Sequence, residues 1–346
     1  MTANCPKSEK IEQRPHVGVG HLFPFFVRKG RSKADWMAGY IDSSGRTVIP
    51  AVYDHASRFR EGLATVKQGE DWGVIAQDGS WRLRPFWDSS VKIGSGRIIV
   101  GLGGKYGLLD TDGKEIMPLR YDVILDFSES LAVVRVEDRV GDRHGYINLK
   151  GEEVIPVTFE RAGQFKEGMA PVKHQGEWYL IDGQGKFVFK IGPVKFVGQF
   201  EDGLARYEVN KKTGYINTRG EVAIGPQFDT GLPFSEGLAV VQVGKLYGFI
   251  DHSGYWAVPP RFYYATEFSE GLAGVKLAES YDVGSRGFID RAGNLIIPAK
   301  FRGVDRFEQG LSLVETEGEI GYINRHGEFV WRAPWVDAPI SSYLRP

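Results

Sequence analysis

One short motif recurs nine times along this 346-residue chain at a nearly constant spacing. It is an apolar run that ends in Asp or Asn and is closed by Gly three residues later. The copies are GYIDSSG 39–45, GVIAQDG 73–79, GLLDTDG 107–113, GYINLKG 145–151, YLIDGQG 179–185, GYINTRG 214–220, GFIDHSG 248–254, GFIDRAG 287–293 and GYINRHG 321–327. Their starts are 34, 34, 38, 34, 35, 34, 39 and 34 residues apart. A fixed period of this length predicts a repeat architecture in which neighbouring units bury each other's apolar faces.

Each unit reads as four short strands. Residues 238–254 contain two β-prone runs separated by a break at Gly244–Lys245, which predicts a β-hairpin. Asp251 followed by Gly254 is a turn signal, because the carboxylate can bond the bend and Gly accepts positive φ. A further apolar run often ends in Pro. Two aromatic residues, separated by several positions, and a Glu-Gly-Leu turn follow it. The unit is therefore strand, EG turn, strand, polar turn, strand, Dxx-Gly turn and strand.

No segment shows sustained helical periodicity, so the chain is predicted to be all-β. Four strands per unit favour a β-propeller of about nine blades. An open β-solenoid of stacked hairpins is the alternative. The first unit, 22–50, lacks its leading strand, which either the N-terminal stretch around 16–21 or the C-terminal tail would supply, unless this unit is a cap. The expected organisation is a polar tail over 1–20, one repeat domain over 21–336 and a tail over 337–346.

The pattern resembles the WG (KWG) repeat family of bacterial proteins. The resemblance is carried by Trp72-Gly73, Lys105-Tyr106-Gly107, Tyr247-Gly248, the GYID and GYIN cores, and the F-x-EGLA turn, and it covers about residues 22–335. Two copies depart from it, because Ala76 replaces the Asp and Tyr179 replaces the Gly. The resemblance implies a β-repeat protein whose repeats serve binding rather than catalysis.

The amino-acid composition limits the kinds of partner that the chain is expected to bind. With 43 basic and 44 acidic side chains the net charge is −1, which argues against nucleic acid and against an anionic membrane surface. The single cysteine, Cys5, excludes an internal disulfide. No apolar stretch approaches the ~18 residues of a membrane span, and Met1–Arg14 lacks the apolar core of a secretory signal. We expect a cytoplasmic protein that is monomeric on its own.

No catalytic, metal or cofactor site is predicted, so the chain is expected not to be an enzyme. The seven His form no HxxxH or HExxH pair. The stretch from Asp110 to Gly113 resembles the start of a calcium loop but lacks the distal Glu. GLGGKYG at 101–107 does not match GxGxxG. The recurrent aspartates are interpreted as turn caps, and the repeated Tyr and Phe as the core between units. Six Trp outside the repeat register could stack on sugars or fill partner pockets, namely Trp36, Trp81, Trp87, Trp256, Trp331 and Trp335.

Insertions indicate the functional face, because repeat proteins usually place extra loop residues on the binding side. From the EGL leucine to the core glycine the distance is 10 residues in four units, but 14 from Leu131 to Gly145 and 15 from Leu272 to Gly287. The first unit has an equally long break at 28–35. All three insertions occupy the slot between the second and third strands. The predicted partner-binding residues are Arg28, Lys29, Arg31, Asp138, Arg139, Arg143, His144, Tyr281, Asp282 and Arg286.

Three functions remain open at this point. The first is a non-catalytic protein-binding repeat domain that acts as a scaffold, an adaptor or an immunity-type neutralising partner of another protein. The second is a carbohydrate- or cell-envelope-binding module that uses the Trp outside the register. The third is an enzyme with residues converging on a central channel, which several channel carboxylates or histidines would favour.

Overall fold

In a computed structural model the protein is described over residues 20–28, 36–139, 141–279 and 284–334. Every regular element in these ranges is a β-strand, and the strands form nine separate antiparallel sheets. Eight sheets have four strands in sequential order and the first has three. The fold is thus a β-propeller of nine blades, as predicted, rather than a solenoid of stacked hairpins.

The first three blades are antiparallel meanders. Blade 1 contains β1 Leu22–Arg28, β2 Trp36–Asp42 and β3 Thr47–Tyr53. Blade 2 contains β4 His55–Ala56, β5 Leu63–Gln68, β6 Asp71–Ala76 and β7 Trp81–Trp87. Blade 3 contains β8 Ser89–Gly94, β9 Arg97–Leu102, β10 Lys105–Asp110 and β11 Glu115–Tyr121.

Blades 4 to 9 repeat the four-strand order. Blade 4 contains β12 Val123–Ile124, β13 Leu131–Asp138, β14 Gly141–Asn148 and β15 Glu153–Phe159. Blade 5 contains β16 Arg161–Ala162, β17 Met169–His174, β18 Glu177–Asp182 and β19 Phe187–Gly192. Blade 6 contains β20 Phe196–Glu201, β21 Leu204–Val209, β22 Lys212–Asn217 and β23 Val222–Phe228. Blade 7 contains β24 Thr230–Ser235, β25 Leu238–Val243, β26 Leu246–Ile250 and β27 Trp256–Phe262. Blade 8 contains β28 Tyr264–Ala265, β29 Ala273–Lys276, β30 Arg286–Ile289 and β31 Leu295–Phe301. Blade 9 contains β32 Gly303–Val304, β33 Ser312–Glu315, β34 Glu319–Ile323 and β35 Phe329–Pro334.

The described residues fall into two compact units, one ending at Tyr121 and the other running from Asp122 onward. Among the described residues, blade 1 starts at the strand that is second in the other blades, as predicted for the first unit. The stretch 16–19 and the tail after 334, which were predicted as possible donors of that strand, lie outside the described residues. The single-domain boundaries of 21 and 336 stay a prediction.

Aromatic pairs hold consecutive blades together. In five core motifs the Tyr or Phe packs against the aromatic of the next blade's EG segment, as in Tyr146–Phe165 and Phe249–Phe268, with ring centroids 4.9 and 4.8 Å apart. Tyr146 also donates a hydrogen bond of 2.8 Å to the carbonyl of Gly163, and burial raises the pKa of its phenol. The interpretation of the repeated aromatics as the core between units is confirmed.

The core glycine that precedes this aromatic is required by a close backbone approach. A Cβ at Gly248 would lie 2.7 Å from the carbonyl oxygen of Val258 in the fourth strand of its blade. The pairing of β26 with β27 shifts register there, so the fourth strand bulges over the glycine. In blade 5, where Tyr179 replaces this glycine, the shift falls between Trp178 and Tyr179, and Gly192 on the partner strand has φ of 102°.

Candidate binding surface

The carboxylates of the Dxx-Gly motif are turn caps. Asp251 Oδ1 accepts hydrogen bonds from the backbone N–H groups of Ser253 and Tyr255 at 2.9 and 3.0 Å, and Gly254 has φ of 81°. In the second copy, where Ala76 replaces the Asp, Asp78 accepts from the N–H and hydroxyl of Ser80 at 2.9 and 2.6 Å instead. The same hydrogen bonds form in every unit that carries Asp or Asn, so these side chains stabilise the turns of the fold.

The acidic residue of the EG turn has a second role that the sequence reading missed. In six blades its carboxylate accepts a hydrogen bond of 2.7 to 3.0 Å from the backbone N–H of the glycine in the next blade's EG turn. The pairs are Glu61–Gly96, Glu129–Gly168, Glu167–Gly203, Asp202–Gly237, Glu236–Gly271 and Glu270–Gly310. These acidic residues have φ near +50°, which a non-glycine side chain adopts only at a cost. We call this series the carboxylate ladder. The signal was present in the recurring acidic residue before Gly-Leu.

A third set of acidic residues caps the turn between the second and third strands. Asp54 and Asp229 follow the aromatic that ends a fourth strand, and each accepts from the N–H of Gly69 or Gly244 at 2.7 Å. In blade 4 Asp122 accepts from Glu137 N–H at 2.9 Å in the same way. These bonds fix the root of the turn whose length varies between units.

The lengthened break of blade 4 is a β-hairpin, so the expectation of a loop there is wrong. Strands β13 and β14 stay paired through eight residue pairs, from Leu131–Asn148 to Asp138–Gly141, whereas blades 2 and 6 have six pairs each. The backbone ladder continues because antiparallel pairing needs only backbone groups, and because Arg135 and Asp142 form an ion pair of 3.1 Å across the hairpin. We call residues 136–143 the blade-4 hairpin tip.

The predicted partner-binding residues differ in exposure and in their position within the blades. Arg139 is exposed in the hairpin turn, and Arg143 is half-buried opposite Val136. Asp138 pairs with Gly141 through its backbone, and Arg28 ends β1. Four predicted residues lie outside the described ranges, namely Lys29, Arg31, Tyr281 and Asp282.

His144 and Arg286 were assigned to loops, but they lie in third strands, immediately before the core glycine. His144 pairs with Arg135 and Phe159, and burial lowers the pKa of its imidazole. Arg286 pairs with Phe301, and its guanidinium carbon lies 4.9 Å from the ring centroid of Tyr264. Both are half-buried, so they border the turn end of their blades rather than protrude from it.

The tryptophans outside the repeat register differ in how far they are buried. Trp87 is packed in the core of blades 2 and 3, whereas Trp256 is 40% exposed beside Tyr255, which is 73% exposed. Trp36, Trp81 and Trp331 are half-buried. Trp335 lies outside the described residues. Tyr255 and Trp256 therefore form an exposed aromatic pair at the start of the fourth strand of blade 7.

Among the described residues, no three His, Cys, Asp or Glu side chains converge as metal ligands would. The same part of the chain contains no helix of the length and apolarity that crossing a bilayer demands.

The segments that match a known protein family coincide with the sequence repeats. A family model described as "WG containing repeat" matches residues 39–72, 106–139, 145–178, 214–247, 247–281 and 287–319. No curated protein matches the sequence.

Several solved structures resemble the chain at low identity. The crystal structure of the eukaryotic initiation factor is 14% identical, with a TM-score of 0.52 over 95% of this chain and 90% of that chain. BamB from Moraxella catarrhalis is 13% identical, with a TM-score of 0.35 over 77% of each chain. Hsv2p of Kluyveromyces lactis is 10% identical, with a TM-score of 0.42 over 66% of this chain and 89% of that chain. The first of these likenesses shows a shared fold.

Proposed function

This chain belongs to the family of WG-containing repeat proteins, and on that basis we propose that it is a non-catalytic protein-binding domain. It acts as a scaffold, an adaptor or a neutralising partner of another protein. A repeat β-propeller is consistent with a binding role. The blade-4 hairpin tip and the turn end of blade 8 contact this partner.

The hairpin tip carries the proposal, because it is where a described blade departs from the repeat without a structural need. The other recurrent polar positions cap turns or join blades. The tip adds two residue pairs to the six of an ordinary blade and displays Glu137, Arg139 and Asp142 to solvent. Its root keeps the same Asp122 cap as the short turns. The extra length therefore adds surface rather than stability.

The chemistry of the tip fits a protein partner better than a small ligand. Small ligands are held in concave, mostly apolar sites. A protruding hairpin with both charge signs matches the polar, electrostatically complementary contacts by which proteins select a partner. Arg139 supplies a planar guanidinium, which can bind a carboxylate through two hydrogen bonds.

The proposal is tested by exchanging the tip. Replacing Glu137–Arg143 with Gly-Lys-Leu, the sequence of residues 244–246, gives blade 4 the turn of blade 7. The backbone N–H that Asp122 caps is retained, so we expect an unfolding midpoint within a few degrees of wild type. Quantitative affinity capture from the native host should then lose the proteins that wild type enriches.

Two further variants make the capture decisive. Reversing charge at Arg139, Arg143 and Arg286 should remove the same proteins from the captured set. Arg219→Glu changes an exposed arginine in the Dxx-Gly turn of blade 6, at the opposite end of its blade, and should leave the set unchanged. Capture that is the same for wild type and the exchanged hairpin would contradict the proposal.

Carbohydrate binding is the second candidate, and the exposed pair of Tyr255 and Trp256 supports it. Aromatic faces stack on the apolar faces of sugar rings. Calorimetric titration with peptidoglycan fragments and with soluble oligosaccharides tests this function. Binding that disappears in Trp256→Ala and persists in the exchanged hairpin would favour it over protein binding.

A further inference from the structure

A cavity of about 400 Å³ opens between blades 7 and 8. Its walls are largely apolar and include Leu232, Val240, Tyr247 and Ala265. Glu267 is the charged side chain among the lining residues. The volume falls within the usual range for small-molecule sites, which combine apolar walls with a few polar groups that fix orientation.

The cavity lies where a row of polar side chains is interrupted. From blade 4 to blade 9, one residue directly precedes the aromatic of each EG segment. These residues are Asp126, Gln164, Gln199, Pro233, Glu267 and Arg306. Gln199 Nε2 donates to Gln164 Oε1 at 2.8 Å, and Gln164 Nε2 donates to the carbonyl of Asp126 at 2.7 Å. Pro233 has no side-chain donor or acceptor to continue this row, and Gly231 in the same strand contributes no side chain.

Glu267 consequently lacks a side-chain hydrogen bond of the kind that joins Gln199 to Gln164. Among the described residues, no hydrogen bond or ion pair to its carboxylate is formed. Burial raises its pKa above the ordinary value, and the charged groups that act on it are Arg306, Glu201 and Arg206. Arg206 is engaged elsewhere, because it donates to the carbonyl of Gly231 at 3.0 Å and lies over the ring of Phe196.

We propose that this cavity binds a small primary amine, with the ammonium at the Glu267 carboxylate and an aliphatic body between Leu232, Val240 and Ala265. A half-buried carboxylate gains most from a cation that supplies both charge and N–H donors. The ring of Tyr247 lines the same cavity and adds the attraction of an aromatic face for a cation, whereas the ring of Tyr264 already carries the guanidinium of Arg286. This site lies apart from the blade-4 hairpin tip and goes beyond the proposed protein-binding function.

The repeat offers variants that should fold. Glu267→Gln installs the residue that blades 5 and 6 carry at this position, and it removes the charge at nearly constant shape. Thr230→Tyr installs the residue that blade 8 carries at the equivalent Tyr264, and it fills the cavity. Glu70→Gln removes an exposed carboxylate in blade 2 and serves as the matched control.

The test is calorimetric titration of the full chain with pentylamine, and with 1-pentanol and pentanoate as neutral and anionic analogues. We expect pentylamine to bind wild type and Glu70→Gln equally, at least tenfold more weakly to Glu267→Gln, and undetectably to Thr230→Tyr. Neither analogue should bind measurably. Equal affinity for wild type and Glu267→Gln, or binding of pentanoate, would overturn the proposal.

A final arm identifies the source of the ammonium. Nα-acetyl-lysine methylamide presents the same group on a peptide backbone. Weaker binding of this compound than of pentylamine supports a free amine as the ligand. Tighter binding, lost in Glu267→Gln, would assign the cavity to a lysine side chain of a partner protein and overturn the free-amine proposal.

Discussion

Acidic side chains in this chain owe their roles to their position in the repeat. Asp251 caps a Dxx-Gly turn, Asp229 caps the turn at the other end of the same blade, and Glu236 bonds the next blade. Each of these roles uses a carboxylate or amide oxygen as an acceptor for backbone N–H groups. Residues that resemble catalytic aspartates in isolation are therefore explained by folding.

Asp42 should report this role in its titration. The hydroxyl of Ser44 and the N–H groups that bond Asp42 lower its pKa to about 2. Because the folded pKa lies below the unfolded one, the stabilisation is present above the unfolded pKa and is lost as pH falls from about 4 to about 2. Asp42→Asn places the residue of the fourth copy there and should flatten the dependence of the unfolding midpoint over that range. An equally steep dependence in the variant, or a carboxyl pKa near 4 by NMR, would contradict the assignment.

The carboxylate ladder should contribute measurable stability. Glu236→Ala keeps a non-glycine residue at positive φ but removes the acceptor for Gly271 N–H. We expect a loss of about 1 kcal/mol in the free energy of unfolding, because the bond is charge-assisted but exposed. Glu236→Gln should lose less, since its amide oxygen can still accept. Urea unfolding checks this, with Glu70→Ala as a control that leaves stability nearly unchanged.

At the scale of the strand, glycine and proline shape each blade. The core glycine lets the fourth strand bulge across the third, and exposed prolines such as Pro118 and Pro298 lie within fourth strands at the edges of their sheets. The turn signals predicted these strands well because Asp, Gly and Pro act locally. The hairpin tip was mistaken for a loop because its charged run has no apolar alternation, whereas strand pairing depends on the backbone.

Gly248→Ala tests the bulge. The new Cβ would lie 2.7 Å from Val258 O and 2.8 Å from Pro260 N, so backbone must move. We expect destabilisation of about 1–3 kcal/mol, as for overpacked interiors. Gly225→Ala is the matched control, because nothing lies within 4 Å of its added Cβ. Similar unfolding midpoints for the two variants would show that the close approach is unimportant.

At the scale of the whole molecule, the repeat determines the architecture, and its exceptions identify the candidate sites. Nine copies in register predicted an all-β repeat protein, and four strands per copy favoured a propeller over an open solenoid. The cavity beside Glu267 could not be predicted, because it depends on Gly231 and Pro233 falling in one blade and a carboxylate in the next. Arg286 was found by its insertion but misplaced, because sequence spacing does not say where a strand resumes.

The chain should be a monomer in solution. Fourth strands at sheet edges could pair with another copy, but most carry a proline, which cannot donate to a new strand. Light scattering on the purified chain should give the mass of one copy across a tenfold range of concentration. A concentration-dependent dimer would contradict this expectation and direct attention to β19, which exposes Phe187 and Val188.

The central claim is that a protein partner contacts the blade-4 hairpin tip. Site-specific incorporation of a photo-crosslinking phenylalanine at position 139, followed by irradiation in the native host and mass spectrometry, tests it most directly. The account predicts a discrete adduct with one partner from position 139 and none from position 219 in blade 6. Adducts of equal yield from both positions, or none from position 139 while the partner still copurifies, would contradict it.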